Sequence, residues 1–403
     1  MTRPNALFLS PEAPYPLTGG GPLRSASLLE YLSRRYAVHA IVFRQPGDPD
    51  PAQAMPPGRV ERLDVVDLPF HSRHGFSRAV RNANRLVRGA PPLVDRFSGF
   101  AGAIAAAIGE NHYEVAIIEH FWCAPYLPQI RAHAKQVILD LHNIESAWHD
   151  SVAASSGPGR AWALRRFATA SVALERKWLP RFDLILATSA ADAAIVRQIA
   201  ENVPVTLYPN ALPEIAAPSR RHEAEQIVFS GNLEYSPNIL GIQFFAKSIW
   251  PSLRSRWPKL RWKIVGKNPA GVARLVEGDS RIVLTGFVEE AITVLAGARV
   301  AIVPLLSGSG TRVKILEAWA AGTPVVSTSI GAAGLEGVNG EHFLIADDPG
   351  QFEDAVSRLL ASAPDRVRLG AAGRQLFEQR YTWPAAWRSL DGIFGNMALG
   401  KKI

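Results

Sequence analysis

Short apolar runs alternate with stretches of helical period from one end of the chain to the other. This alternation predicts βα units with parallel sheets. Strands are expected at 6–10, 38–43, 59–68, 115–119, 136–141, 184–188 and 205–208. A second set is expected at 226–230, 261–265, 281–285, 300–304, 324–328 and 342–345. Between the sets lies the proline-rich string Pro209-Asn210-Ala211-Leu212-Pro213-Glu214-Ile215-Ala216-Ala217-Pro218, followed by a charged patch. Two sheets joined by one such linker predict an α/β protein of two Rossmann-like doubly wound domains facing a central cleft. The expected boundaries are 1–212, a linker at 213–225, a second domain at 226–380, and a terminal segment at 381–403. The last helix, expected at 384–397, carries Trp387, Leu390, Ile393 and Phe394. It packs either on its own domain or back on the first.

Composition narrows the class. A chain of 403 residues is long enough for two cores, and 47% apolar content places it among globular proteins. Cys123 is the single cysteine, so no intramolecular disulfide is possible, which fits a reducing, cytoplasmic setting. The first apolar run is too short for a signal peptide, and no run is long enough to span a bilayer. The net charge of +8 points to anionic partners without identifying them.

The chemistry concentrates in residues 304–331, PLLSGSGTRVKILEAWAAGTPVVSTSIG. An apolar strand runs into Ser307-Gly308-Ser309-Gly310, a helix opens near Thr311, and Gly322 ends it before the next strand. A glycine-rich loop lets backbone amides approach an anion, and the helix start adds partial positive charge. Arg312 and Lys314 in the first turn strengthen that preference. Glu317, about a turn and a half further on, is placed to accept two ribose hydroxyls. The order is phosphate first and sugar next, as in a nucleotide-diphosphate site. A plain strand–loop–helix with solvated cations is the alternative for the loop taken by itself.

The longer string Glu317-Ala318-Trp319-Ala320-Ala321-Gly322-Thr323-Pro324-Val325-Val326 resembles the donor-binding signature of glycosyltransferase family 4. Those retaining enzymes have the GT-B fold, and the resemblance implies that architecture. It also gives roles to residues in the first half. Pro16-Leu17-Thr18-Gly19-Gly20-Gly21-Pro22 precedes an amphipathic helix at 23–34. The resemblance makes Gly19, Gly20 and Gly21 a loop that reaches the donor phosphates. In Asp140-Leu141-His142-Asn143-Ile144-Glu145, at the end of a buried strand, it gives His142 a hydrogen bond to the transferred sugar. Glu119-His120, ending the neighbouring strand, is a weaker candidate on the acceptor side.

Three positions depart from the family pattern. The family's Arg and Lys after the first strand of the second domain are replaced by Asn232 and Asn238, and the first Glu of its Glu-x7-Glu pair by Ser309. Arg312 and Lys314 supply the same charge from another wall, as in exopolysaccharide-type members with Gly-x-Gly-Thr-Arg-x-Lys before the Glu. The donor site is therefore expected to comprise Gly19, Gly20, Gly21, Asn232, Asn238, Ser309, Gly310, Thr311 and Glu317. His142, Arg312 and Lys314 are expected to carry the chemistry.

The resemblance implies a hexosyltransferase-like enzyme that moves a sugar from a nucleotide-diphosphate donor to a hydroxyl acceptor with retention. The acceptor is expected to be a lipid-linked glycan of bacterial polysaccharide synthesis. No cofactor or essential metal is expected, and Asp48-Pro49-Asp50 reads as a turn. Nucleic acid is not an expected partner, since none of its recognition motifs is present. A basic amphipathic helix over 71–90 places Arg78, Arg81, Arg85 and Arg88 on one face, and Phe76, Val80, Ala83 and Val87 on another. With the basic stretch 160–181 it suggests peripheral contact with an anionic membrane, a solvated helix face being the alternative. A sugar-nucleotide epimerase and a catalytically silent GT-B scaffold are the competing functions; Asn232, Asn238 and Ser309 favour the scaffold.

Overall fold

The computed structural model describes residues 3–72, 74–218, 224–288, 291–308 and 312–398. The chain divides into two compact units, residues 1–209 with 387–403, and residues 210–386.

The first unit is built on a parallel sheet of β1 (Asn5–Ser10), β2 (Ala37–Arg44), β3 (Arg62–Asp67), β4 (Tyr113–Glu119), β5 (Ala134–Asp140), β6 (Leu184–Ala187) and β7 (Val205–Leu207). Its order is β3-β2-β1-β4-β5-β6-β7. The second unit carries β8 (Ala224–Ser230), β9 (Arg261–Val265), β10 (Ile282–Gly286), β11 (Ala298–Val303), β12 (Val325–Ser327) and β13 (Leu344–Ile345). These also run parallel, in the order β10-β9-β8-β11-β12-β13. Central strands such as Ala6–Leu9 and Val115–Ile118 are wholly buried. Helices cover both faces of such a sheet, so the sequence there is continuously apolar rather than alternating.

Each sheet reverses its strand order once, at β1/β4 and at β8/β11. In open parallel sheets, ligands bind outside the carboxyl ends of the strands at such reversals. The segments that leave those strands therefore matter most.

The helices that bear on function are α1 (Gly20–Ser33), α2 (Gly75–Arg88), α3 (Pro92–Arg96), α4 (Glu145–Ala154), α5 (Pro158–Trp178), α6 (Ser236–Ser248), α7 (Val313–Ala320) and α8 (Trp383–Ala398). From Trp387 onward α8 belongs to the first unit. Trp387 donates to Ser27 at 3.1 Å, the rings of Phe394 and Tyr31 lie 5.3 Å apart, and Asp391 pairs with Arg35 at 2.7 Å.

The helix expected at 71–90 forms as α2, but its arginine face is anchored to the protein rather than left free. Arg85 is only 8% exposed. Its Nε and Nη2 of Arg88 both donate to Asp95 on α3, each at 2.7 Å, while Arg81 donates to the Ser72 carbonyl. Burial opposes ionisation of Asp95, but the two arginines outweigh it and lower its pKa. One carboxylate thus fixes the arginine side against α3, and Phe76, Val80 and Val87 face solvent. Among the arginines of that face, Arg78 and Arg88 keep exposed surface.

Candidate functional site

In the second unit, the end of β8 and the start of α7 come together. Glu317 accepts a hydrogen bond from Ser230 Oγ at 3.0 Å. Burial pushes its carboxyl above the ordinary range, against the pull of the Ser230 hydrogen bond and of Lys314. Lys314 extends toward α6 and donates to Asn238 Oδ1 at 2.9 Å, with its ammonium 5.2 Å from the centre of the Phe229 ring. Burial and the neighbouring charge of Arg312 lower the Lys314 pKa to about 7, and Glu317 only partly offsets them. An anion placed against Lys314 would favour its charged form and offset that lowering.

Two glycines make this arrangement possible. Gly231 has φ of +149°, and a Cβ there would lie 2.8 Å from Asn238 Nδ2 and 3.3 Å from Lys314 Nζ. Gly308 has φ of +115°, and a Cβ there would meet the Arg312 guanidinium at 2.9 Å. Both backbones therefore occupy a region that other residues rarely adopt, and both leave room for a cation.

Asn238, buried, also donates to the Asn232 carbonyl at 2.8 Å, whereas the exposed Asn232 side chain accepts from Glu234 N and Asn268. The two asparagines thus differ: Asn238 holds the lysine, and Asn232 braces its own loop. The expected helix start near Thr311 falls at Val313, with the buried Arg312 at its N-cap. Ser309, Gly310 and Thr311 lie outside the described residues.

In the first unit, the sheet's order reversal gathers a second polar cluster. Gly19 caps α1, and Gly20 and Gly21 form its first turn, so the helix begins earlier than the 23–34 expected. A Cβ on Gly21 would clash with the Glu12 carboxylate at 2.1 Å and lie 3.8 Å from His120 Nε2. Arg24, one turn along α1, is buried and holds both Asp140 oxygens, at 2.8 and 2.5 Å. Ser25 Oγ donates to Glu119 Oε2 at 2.7 Å. His142 Nε2 also meets Glu119 Oε2 at 2.7 Å and lies 3.4 Å from Asp140. Burial alone would lower the His142 pKa; the two carboxylates outweigh it and raise it. Further along, Glu145 at the start of α4 accepts from Trp122 and Asn143, and burial pushes its pKa up to about 7.

His142 is thus tied inward, and the imidazole whose Nε2 is not engaged among the described residues is His120. It is buried, has φ of +61°, and stacks between His142 at 3.4 Å and Trp122 at 4.1 Å. Its Nε2 and Glu119 Oε1 are buried with no hydrogen-bond partner among the described residues. Burial and the charges of His142 and Arg24 depress its pKa well below the usual value, so it is a neutral ring. A non-glycine residue at positive φ costs about 1–3 kcal/mol, and such strain clusters at ligand sites. The sequence pattern ranks His120 below His142 and does not single out Arg24 or Ser25. An arginine within the apolar face of a helix is the signal that could have found them.

Glu119, Asp140 and His142 bring possible metal-ligand atoms within 4.8 Å of one another. Both Asp140 oxygens are already held by Arg24, so a metal ion would have to displace a buried guanidinium. In Asp48-Pro49-Asp50, Asp48 accepts from Gln45 N and Asp50 from Ala52 N, both local backbone contacts.

Two parallel Rossmann-like sheets, each with its polar cluster at the carboxyl-end reversal, define a GT-B protein. Sucrose-phosphate synthase from Thermosynechococcus elongatus superposes with a TM-score of 0.75 at 18% identity, over 99% of this chain and 100% of that one. Anabaena HepE in complex with UDP and glucose superposes with a TM-score of 0.62 at 13% identity, over 98% of this chain and 100% of that one. At such identities the likeness is one of fold. Residues 224–362 match the family described as "Glycosyl transferases group 1". Over 113 residues the chain is 34% identical to D-inositol 3-phosphate glycosyltransferase of Corynebacterium diphtheriae, covering 28% of this chain and 26% of that protein. Over 130 residues it is 28% identical to an uncharacterized 44.6 kDa protein in the cps region of Klebsiella pneumoniae, covering 30% and 34%. The chain therefore matches about a quarter to a third of the length of these curated relatives.

Proposed function

We propose that this protein is a retaining, family 4 glycosyltransferase that passes a hexose from a nucleotide-diphosphate sugar to a hydroxyl acceptor. The observation that carries the reading is the convergence of Arg312, Lys314 and Glu317 on the end of β8, within the segment that matches the group 1 family. The leaving group is a diphosphate, so the main catalytic need is stabilisation of developing negative charge. Lys314 and Arg312 meet it, and Glu317 with Ser230 takes the ribose hydroxyls. The amides of Gly310 and Thr311 remain assigned to the phosphates on the sequence pattern alone. Gly19, Gly20 and Gly21, at the start of α1, remain assigned to the donor phosphates on the family resemblance, with the Glu12 carboxylate beside Gly21. No essential metal is assigned, because the two cations meet the charge.

In the first unit, Glu119 Oε1 and His120 Nε2, buried without a hydrogen-bond partner among the described residues, are the groups read as taking sugar hydroxyls, and His142 fixes the carboxylate from behind. Resemblance to exopolysaccharide-type members supports a lipid-linked glycan as acceptor, in polysaccharide synthesis, with an anionic membrane surface as partner. Among the described residues no helix is long and apolar enough to cross a membrane, so contact would be peripheral.

A thermal-shift screen of UDP, GDP, ADP and their sugar conjugates tests donor recognition. A ligand at about 100 times its dissociation constant stabilises by roughly 2.7 kcal/mol, enough for a clear shift. Mass spectrometry with mixed glycan acceptors then reads transfer. Absence of any nucleotide shift would overturn the reading. Epimerised donor without acceptor would replace transfer by epimerisation, and binding without turnover would leave a scaffold.

A further inference from the structure

The outward face of α2 is unusual for a helix on a globular unit. Phe76 is 83% exposed, Val80 53% and Val87 87%, with Ala83 exposed between them. Their spacing is that of a single apolar stripe, the kind that ordinarily packs on a core. Here the inner side is taken by Arg85 and Leu86, because Asp95 holds Arg85 inward. On the neighbouring α5, Trp162 is 61% exposed, and Arg160, Arg165 and Arg166 beside it are exposed as well. A groove of about 320 Å³ lined by Leu86 and Gly89, at the end of α2, and by Phe167, Ala170 and Leu174 of α5 makes the two helices one surface. No acidic residue occurs between 68 and 94 or between 151 and 174.

We propose that this surface, the apolar ridge of α2 with Trp162 and the surrounding arginines, is where the protein enters an anionic lipid bilayer. The inference rests on the reading of a membrane as partner and assigns the residues that make the contact. Exposed aromatic and aliphatic side chains enter the headgroup–acyl boundary, while Arg78, Arg160, Arg165 and Arg166 meet lipid phosphates. An acid-free surface of this size complements an anionic bilayer, whereas a protein partner of mixed charge would leave arginines facing cations. The arginine face named by the sequence pattern is not the main contacting one; it fixes the helix so that the apolar face is presented.

The test is co-sedimentation of the full chain with vesicles of equimolar phosphatidylglycerol and phosphatidylcholine, or of phosphatidylcholine alone, at low and high salt. The triple variant Phe76→Ser, Val80→Ser, Val87→Ser alters only exposed positions, and circular dichroism checks its fold. The expected result is anionic-vesicle binding by the parent and a loss of at least about tenfold in the variant. Phe76→Leu should retain binding. Equal binding by parent and triple variant overturns the assignment while leaving the membrane reading standing. Failure of the parent to bind either vesicle overturns both. Concentration-dependent dimerisation that the triple variant abolishes, without vesicle binding, makes the ridge a protein interface instead. Nucleotide thermal shifts on the same samples report the donor site independently of all these outcomes.

Discussion

Lys314 offers the sharpest test of the proposed donor site, because its burial should make nucleotide affinity depend on pH. Among the described residues its ammonium donates to the neutral amide of Asn238, and Arg312 lies close enough to repel it. The pKa of about 7 in the ligand-free protein should rise above about 9 when a diphosphate sits against it, since an opposite charge a few ångströms away favours the charged form. Below about pH 7 the lysine is already charged and affinity is level. Above it, binding must take up a proton, and affinity should fall by up to about tenfold per pH unit. From about pH 6 to pH 9 the loss should approach roughly hundredfold. A nucleotide sugar is the right probe, because its diphosphate diester does not titrate in that range. Isothermal calorimetry would read both the affinity and the proton uptake. Lys314→Arg should bind with no such slope, since guanidinium stays charged throughout. Stability should run the other way. The folded pKa lies below the unfolded value, so the unfolded chain holds the extra proton between pH 7 and about 10.5. Relative to Lys314→Met, the ligand-free parent should gain stability as pH rises across that window. Affinity that changes less than about threefold between pH 6 and 9 would refute the placement of Lys314 on the diphosphate.

Arg312→Ala should lower catalytic efficiency at least about tenfold, or about 1.4 kcal/mol, with the fold retained; parent-like turnover would remove it from the leaving group. Glu317→Gln should weaken nucleoside-diphosphate binding, because the amide replaces one acceptor with a donor toward Ser230 and the ribose; unchanged affinity would clear Glu317 of that role. Gly231→Ala should displace Lys314 and Asn238 and cost about tenfold in donor affinity while protein remains soluble, checked by calorimetry and circular dichroism. Arg24→Met leaves the Asp140 carboxylate buried without its guanidinium partner, a cost of about 3–5 kcal/mol. A fall in melting temperature that Arg24→Met with Asp140→Leu partly reverses would support that account, and an unshifted melting temperature would exclude it.

The sequence by itself determined the strands. Every apolar run expected as a strand in either half forms one, with ends displaced by a few residues; the central strands are buried on both faces and so continuously apolar, while β3, β7 and β10 are only partly buried. The nearness of Lys314 and Glu317 was legible too, since residues three apart on α7 are neighbours wherever that helix sits. The tertiary structure decided what depends on partners distant in sequence. Asn238 is separated from Lys314 by 76 residues, yet it is the group that holds the lysine, so an apparent loss of a cation becomes a hydrogen-bonding seat for one. His120 and His142 differ because Glu119, 23 residues before His142, engages the latter's Nε2, while the former's is buried with no hydrogen-bond partner among the described residues. Helical period located both faces of α2 but not which of them packs inward. That choice fell to the Asp95 carboxylate on α3, whose charge-assisted hydrogen bonds to Arg85 and Arg88 hold the arginine side in place and leave three apolar side chains in water.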